Sequence, residues 1–532
     1  MLRRTPVSRP PLSRVATLLL SAALLCPAPG AWSQVNGAPT NGRSPAASPN
    51  LPSLGDGEDL TVAAERRLGD RIAQSIYRDP DYLDDPVIGD YLLQLWQPLL
   101  AAARRRGEVS PELSERLAWE LMISRERSVN AFALPGGYMG VNLGLLAVTE
   151  RPEELASVLA HEMSHVAQRH IARMMSNEQR MAPWMIASMI LGALAAGANP
   201  DAAGAAIAGS SAVAAQQSLK FSRDMEREAD RIGFGVMTGA GFDGHGFVEM
   251  FGKLQQASRL NDSGAYPYLR THPLTSERIA DMQARLPEAT PALGPRADAA
   301  PQLQGLPSGM QHALVSARAR VLAERDSTRW ATWVERARSP DAKPADLYAG
   351  ALSAQRLGQS ARALELSERL RKLTTGDAAR GVADALAMEL LLSPGAPAQP
   401  ALLAELRDAA LGAQSRAMVM LGAQAAMATG QAERATSRLQ AWTVEHPRDA
   451  LAWQLLVRAN QAQGHTLRAV RADAEAHAAH YDWDGALERL KAAQALPAAQ
   501  RNADPIELAI VDSRRRDVEQ RLRDAMRDDD KR

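Results

Sequence analysis

The spacing of apolar residues changes along the chain and predicts two kinds of secondary structure. In residues 60–77 and 85–106, apolar side chains recur every three or four positions, as on one face of a helix. Three short runs then have strand-like patterns: WELMIS at 119–124, VNAFAL at 129–134 and YMGVNLGLL at 138–146. Pro135–Gly137 separates the last two runs and favours a turn. We therefore expect a small antiparallel sheet within a mainly helical, α+β domain.

A long helix is predicted directly after the sheet. Pro152 suits the first helical turn, and the carboxylates of Glu153 and Glu154 suit the positive end of the helix dipole. Apolar residues then return at helical spacing up to Val166. The stretch HEMSHVAQRH, residues 161–170, lies in this pattern, so its first histidines are expected on a largely buried helix.

Residues 310–525 have a different pattern, that of repeated helix pairs. Gly430 and Gly464 lie 34 residues apart, each is followed five residues later by an alanine, and Gly358 has the same offset. These positions are typical of tetratricopeptide repeats, although a less regular alanine-rich helical array would satisfy part of the pattern. A Pro/Gly-rich stretch at 286–309 is expected to link the repeats to a first domain at 58–285.

The N-terminal segment predicts export from the cytoplasm. Several arginines precede the apolar run VATLLLSAALLC at 15–26, which is typical of a signal peptide. We expect the signal to span 1–33 and a flexible leader rich in Gly, Pro, Ser and Asn to follow at 34–57. The only cysteine, Cys26, would leave with the signal, which suits a bacterial periplasm. A second apolar segment, at 184–198, is too short to span a membrane and would suit a lid over a cleft.

Composition narrows the functional classes. The 532 residues include 61 basic and 61 acidic side chains, so no net positive charge favours nucleic acid as a ligand. Aromatic residues make up only 4%, and Ala, Leu and Arg are frequent, which favours helices. At about 100–200 residues per domain, the chain is long enough for two to four domains.

The segment HEMSH has the spacing of a metal site. Residues i and i+4 share one helix face, so His161 and His165 can bind one Zn²⁺ together, while Glu162 can reach a water beside the metal. A catalytic zinc needs a third protein ligand. The metzincin extension fails because positions 168 and 171 hold Gln and Ile instead of Gly and His. His170 is one position off that pattern, and we expect it to lie behind a ligand or to pack in the core.

A second stretch, SRDMEREADRIG at 222–233, contains candidate partners for these histidines. Glu226 and Asp230 are again four residues apart and share one face of an acidic helix. Alone, this pattern indicates a solvated charged face. Together with the first motif, it predicts that Glu226 is the third ligand and that Asp230 accepts a hydrogen bond from a zinc-bound histidine.

Four segments in this order resemble the M48 zinc metallopeptidases: NAFALPGGYMGVNLGLL, VLAHEMSHVAQRH, EREADRIG and THPLTSER, the last at 271–278. The resemblance implies a zincin-like domain with one zinc ion. The implied ligands are His161, His165 and Glu226, with Glu162 as general base and Asp230 as an orienting residue.

Two residues of the last segment have roles that stay open. The resemblance makes His272 and Arg278 candidates for stabilising the oxyanion, and an imidazole or a cation is what that developing charge needs. By the same resemblance, His272 can instead occupy the open zinc position as a fourth ligand and hold the enzyme off.

Substrate contacts are expected along the predicted hairpin. A hairpin beside the zinc helix has an edge strand on which an extended peptide can pair, and the resemblance implies the same. The candidate residues are Asn130, Ala131, Phe132, Ala133, Tyr138, Val141 and Asn142.

These observations favour an exported zinc metalloendopeptidase that acts on misfolded or stalled envelope proteins. Its repeats would bind clients or the outer-membrane β-barrel assembly machinery, with peripheral membrane association left open and no nucleic acid expected. The rival hypothesis is a repeat-based periplasmic chaperone or scaffold whose metal site is self-inhibited. A membrane-embedded M48 prenyl-protein peptidase is disfavoured because the sequence lacks multiple spanning segments.

Overall fold

The first two helices begin where the sequence supplies a side-chain cap. Thr61 accepts a hydrogen bond from the Ala64 N–H at the start of α1, Val62–Tyr77. Asp85 does the same for α2, Pro86–Arg105, which has proline in its first turn. The computed structural model describes residues 60–177, 222–260, 266–286 and 306–530. The predicted signal peptide, the leader, the segment at 184–198 and most of the predicted linker lie outside these residues.

Three strands form a mixed sheet in the order β1-β3-β2. The strands β2 and β3 pair antiparallel, as predicted, but β1 and β3 pair parallel, so the prediction of a fully antiparallel sheet is wrong. The cause is the order of the strands: the tight turn at Pro135–Gly137 returns the chain so that β3 lies between its two predecessors. Gly136 and Gly137 have φ of 77° and 86°, which side chains rarely adopt. The strands are β1 Glu120–Ser124, β2 Ala131–Leu134 and β3 Tyr138–Asn142.

The third predicted strand run ends earlier than its sequence pattern indicates. After Asn142 the chain forms the short helix α4, Leu143–Val148. Leu143, Leu145 and Leu146 are all buried there, which a helix and a strand can both satisfy over so few residues. A side chain at Gly144 would collide with the backbone of the β1–β2 loop, so this helix packs directly on that loop.

The predicted long helix is present as α5, Pro152–Ala167. Glu154 accepts a hydrogen bond from the Glu150 N–H through Oε2 at 2.7 Å, which satisfies a backbone donor just before the first turn. Nearly every side chain of α5 is buried, because α2, β2 and two later helices surround it. The polar residues on α5 are therefore held in a low-dielectric interior.

The remainder of the described chain is helical, which confirms a mainly α protein with an α+β first part. In chain order the other helices are α3 Pro111–Arg116, α6 His170–Asn177, α7 Arg223–Gly239, α8 His245–Leu260, α9 Tyr268–Thr271, α10 Ser276–Ala284, α11 Gly309–Ala323, α12 Ser327–Arg338, α13 Pro344–Arg356, α14 Ser360–Leu373, α15 Asp377–Leu391, α16 Pro400–Gly412, α17 Arg416–Ala428, α18 Ala432–Glu445, α19 Ala450–Ala462, α20 Thr466–Ala479, α21 Trp483–Gln494, α22 Ala498–Arg501 and α23 Pro505–Asp530.

Consecutive helices of the C-terminal region pack against each other as pairs and share a turn geometry. Gly358, Gly430 and Gly464 each follow a helix and have φ between 72° and 74°, the left-handed conformation common at helix C-termini. The glycine spacing noted in the sequence thus marks equivalent turns. Their assignment to the tetratricopeptide type stays a prediction.

The C-terminal helices pack onto the first part of the chain within one unit, Asp56–Arg532. A single apolar core runs from α2 and α5 into α11 and α15, and includes Trp96, Leu159, Leu314 and Leu386. Arg318, buried on α11, donates to Asp85 Oδ2 at 2.7 Å and so ties the two parts together. The predicted division at 286–309 stays a prediction about the chain's organisation. Among the described residues, no helix has the length and apolar character needed to cross a membrane.

Candidate metal centre

Two histidine rings of α5 face each other across the centre of the site. Because they are one helical turn apart, His161 and His165 project from the same face, and their Nε2 atoms lie 3.0 Å apart. Both side chains are buried, at 2% and 0% exposure. The structure therefore brings together the two histidines that were predicted as ligands.

Helix α7 brings a carboxylate to the same point. Glu226 Oε2 lies 3.6 Å from His161 Nε2, and Glu226 Oε1 lies 3.6 Å from His165 Nε2. The close approach of the helices depends on Gly233, where an added Cβ would come within 3.1 Å of the Ala160 and His161 backbone. Direct packing of α7 on α5 therefore brings Glu226 to the two histidines.

His272 completes the cluster from a distant part of the chain. Its Nδ1 lies 3.0 Å from Glu226 Oε1 and 3.3 Å from His161 Nε2. Its ring stacks on Tyr268, with centroids 4.6 Å apart and planes inclined by 23°. Tyr268, at the start of α9, was not predicted, because no sequence pattern connects it with the histidine motif.

The converging atoms fit a zinc ion. One potential ligand atom from each of His161, His165, Glu226 and His272 lies within 4.8 Å of the others, and all four residues are buried. Imidazole nitrogen and carboxylate oxygen are donors that Zn²⁺ takes in proteins. The buried Glu162 Oε1, which has no hydrogen-bond partner among the described residues, adjoins this cluster and lies 3.4 Å from His272 Nε2.

Glu162 is joined to the edge strand. Its Oε2 accepts a hydrogen bond from the Ala133 N–H at 3.0 Å, and its side chain is completely buried. Burial raises the pKa of Glu162, because the charged form is poorly solvated there. A carboxyl whose pKa is raised towards neutrality is suited to exchanging protons.

Asp230 holds one metal-facing histidine and is itself held by a cation. His161 Nδ1 lies 2.9 Å from Asp230 Oδ1, and the orienting role of Asp230 stays a prediction. Arg278 donates to both oxygens of Asp230, at 2.6 and 2.7 Å. Burial alone would raise the pKa of Asp230, but the hydrogen bonds from Arg278 and His161 outweigh burial and lower it.

Arg278 contacts the carboxylates of the site, and its predicted oxyanion role stays a prediction. Its guanidinium also lies 2.7 Å from Glu226 Oε2 and donates to the Pro273 carbonyl at 2.9 Å. Only 4% of its side chain is exposed. Arg278 neutralises two buried carboxylates, a role that only the tertiary arrangement reveals.

His170 lies outside the cluster, as expected. Its Nδ1 is 2.9 Å from His165 Nδ1, on the side of that ring away from the cluster. Its Nε2 is 3.1 Å from Glu228 Oε2. Glu228 was missed by sequence reasoning, although it stands between Glu226 and Asp230 in the same acidic stretch.

The predicted substrate residues divide into two groups. Ala131, Phe132 and Ala133 belong to the edge strand β2, and Asn130, Phe132 and Asn142 border a cavity of about 90 Å³ beside it. Tyr138 and Val141 are on the central strand and offer no free edge. Asn142 is on the same strand, and a substrate-binding role for all three stays a prediction.

The side chains of Tyr138 and Val141 have other contacts. The Tyr138 hydroxyl donates to Asp70 Oδ1 at 2.7 Å and lies 2.6 Å from the Tyr481 hydroxyl, while Val141 is fully buried in the core. Tyr138 thus joins the sheet to α1 and to the helical region.

A histidine pair on a buried helix, a carboxylate from a second helix and an adjacent edge strand together define the class, a metallopeptidase-type domain. Residues 101–286 match the family model for peptidase family M48. The chain is 35% identical over 251 residues to the putative beta-barrel assembly-enhancing protease of Vibrio cholerae, and the aligned region covers 47% of this chain and 50% of that protein. It is 32% identical over 243 residues to the beta-barrel assembly-enhancing protease of Escherichia coli, covering 45% and 48%. It is 30% identical over 252 residues to the mitochondrial metalloendopeptidase OMA1 of Schizosaccharomyces pombe, covering 44% and 67%.

The chain belongs to peptidase family M48. It spans about half the length of the bacterial relatives.

Proposed function

We propose that this protein is an exported zinc metalloendopeptidase that cleaves misfolded or stalled envelope proteins. The observation that carries the proposal is the convergence of His161, His165 and Glu226 beside Glu162 and the edge strand β2. The names of the bacterial relatives, beta-barrel assembly-enhancing proteases, support a role in the assembly of β-barrel proteins. The proposed periplasmic location rests on the predicted signal peptide.

The side chains have separable roles in peptide hydrolysis. His161, His165 and Glu226 would hold the zinc, which when bound supplies a Lewis acid for the carbonyl and the water. Glu162 takes one proton from the water as its oxygen bonds to the carbonyl carbon, and then delivers that proton to the departing amine nitrogen. Asp230 keeps His161 oriented, and Arg278 pairs with both Asp230 and Glu226.

The edge strand favours substrates in extended conformation. The Ala133 N–H points away from β3 towards Glu162, so the outer edge of β2 lies next to the groups that would act on the peptide bond. A folded substrate has its backbone donors already paired, whereas an unfolded or stalled chain can add a strand here. The C-terminal helices would bind such clients or the assembly machinery.

His272 supports a second candidate function, a scaffold or chaperone with a self-inhibited site. Its Nδ1 lies among the ligand atoms and not beyond them, which favours a fourth ligand over an oxyanion donor. A site with four protein ligands has no open position for a substrate. On this proposal His272 must leave before cleavage.

One experiment separates the two functions. The purified full chain is assayed for zinc content and casein cleavage as wild type, Glu162→Gln and His272→Ala. The proposal expects one zinc per chain, no cleavage by Glu162→Gln, and faster cleavage by His272→Ala than by wild type. Bound zinc with no cleavage by wild type or His272→Ala would favour the scaffold, and a wild type without zinc would overturn both.

A further inference from the structure

We propose that His170 and Glu228 form a relay that fixes the ring of His165 for metal binding. His165 Nδ1 lies 2.9 Å from His170 Nδ1, and His170 Nε2 lies 3.1 Å from Glu228 Oε2. Both rings are completely buried. The inference rests on the proposed zinc site and assigns to two further residues the task of positioning one of its ligands.

The direction of the hydrogen bonds follows from the chemistry of a ligating imidazole. His165 Nε2 faces the cluster, so it must carry a lone pair to bind zinc, and the ring proton must then be on Nδ1. That N–H donates to His170 Nδ1, which leaves the His170 proton on Nε2, where it donates to the Glu228 carboxylate. One arrangement of protons satisfies the whole chain of contacts and selects the binding tautomer of His165.

A break in the helix between α5 and α6 allows His170 to contact His165. In a continuous helix, residues five apart point in directions about 140° from each other, so His170 could not reach His165. Helix α5 ends at Ala167, and Arg169 has φ of 51°, a left-handed conformation that is strained for arginine. Helix α6 then begins at His170 and turns its ring back behind His165.

The strained residue is itself anchored. Arg169 Nε donates to Glu65 Oε2 at 2.9 Å, and the Glu65 side chain is only 3% exposed. The far end of the relay is fixed as well, because Arg173 Nη1 donates to Glu228 Oε2 at 3.1 Å. The two metal-facing histidines therefore differ: His161 contacts the carboxylate of Asp230 directly, whereas His165 reaches a carboxylate through a second histidine.

The test compares two replacements of His170 in the full chain. His170→Phe keeps an aromatic ring but removes the acceptor, whereas the amide of His170→Gln can accept from His165 and donate to Glu228. The zinc dissociation constant is measured by chelator competition, and the visible spectrum of the Co²⁺-substituted protein reports ligand geometry. Thermal unfolding of the metal-free protein is followed in parallel.

The relay predicts that His170→Phe raises the zinc dissociation constant about 10- to 100-fold and alters the cobalt spectrum, while His170→Gln stays within about threefold of wild type. His312→Phe is the matched control. This buried histidine donates from Nε2 to the Thr149 carbonyl and accepts at Nδ1 from the Tyr91 hydroxyl, away from the cluster. Its loss should therefore lower thermal stability without changing zinc affinity.

A His170→Phe variant that binds zinc as tightly as wild type would overturn the relay, whatever its thermal stability. If His170→Phe does not fold, Glu228→Ala replaces it, because that side chain is 31% exposed and its removal leaves His170 without the terminal acceptor. An unchanged dissociation constant in Glu228→Ala would then overturn the relay. Failure of the relay with zinc still bound by wild type leaves the proposed function intact, whereas absence of zinc from wild type rejects the site itself.

Discussion

Replacing Arg278 by methionine tests whether one cation holds the carboxylates of the site. The Arg278 guanidinium makes two hydrogen bonds to Asp230 and one ion pair to Glu226, and all three side chains are at most 4% exposed. Methionine fills much of the same space but provides no charge or donor. The variant would therefore leave two carboxylates buried close together without their shared counter-charge.

The expected cost is large for a single substitution. Removing one partner from a buried ion pair typically destabilises a protein by about 3–5 kcal/mol, because the remaining charge has lost its compensation. We expect this range for the metal-free protein. The matched control is Arg434→Met, since Arg434 pairs with Asp408 at 2.9 Å but both side chains are about half exposed, at 49% and 52%. An exposed pair of this kind contributes little to stability, because solvent screens the two charges.

The assay is urea unfolding of the metal-free protein, followed by tryptophan fluorescence at several pH values. The pKa of Asp230 is lower in the folded protein than in the unfolded chain, where it has the ordinary carboxylate value of about 4. Ionised Asp230 therefore stabilises the wild type at pH values above about 4, and this contribution is lost as the pH falls through the folded-state pKa. The difference between wild type and Arg278→Met should therefore be greatest at neutral pH and shrink in acid. A loss at neutral pH no greater than that of Arg434→Met would refute the reasoning.

Three further predictions follow from the same contacts. Burial alone would lower the pKa of His161, but hydrogen bonds with Asp230 and Glu226 raise it to about 9 in the metal-free protein. A proton and zinc then compete for His161, so zinc affinity should fall about tenfold for each pH unit below that value. Calorimetry in two buffers should detect one proton released on zinc binding. A zinc affinity that stays constant from about pH 7 to 9 would contradict this prediction. Ala133→Pro removes the N–H that donates to Glu162 but leaves the hydrogen bonds between β2 and β3 intact. A hydrogen bond to a charged group contributes about 1.5–3 kcal/mol, so kcat should fall about 10- to 100-fold while zinc content stays unchanged. An unchanged kcat would count against Glu162 as the base. Arg318→Met breaks the buried ion pairs to Asp85 and Glu389 and should lower the free energy of unfolding by about 3–5 kcal/mol. In calorimetry, the α+β part and the C-terminal helices should then unfold in separate transitions. A single undivided transition would argue against this link.

Local spacing was sufficient to predict the helical half of the site. Within HEMSH and EREAD, residues four apart must share a helix face, so the pairing of His161 with His165 and of Glu226 with Asp230 follows from helix geometry alone. These predictions needed only the prediction of helix, which the apolar period supported strongly.

Strand pairing was predicted less well, for a physical reason. The hairpin β2–β3 is local and was expected, but the parallel pairing of β1 with β3 depends on which side of β2 the chain returns to. Alternation of apolar residues is the same in both arrangements. The position of Tyr138 in the sequence likewise could not reveal that its strand, β3, is the central one.

The sequence by itself determined which side chains can act as ligands and base, because those choices are set by residue type and by spacing within single helices. Only the tertiary structure decided what lies around them: His272, more than a hundred residues after His161, among the ligand atoms, and Arg278 directed to the carboxylates of the site. These positions result from the packing of several helices against one another. No periodicity within one segment encodes the distance between two segments that meet only when the core forms.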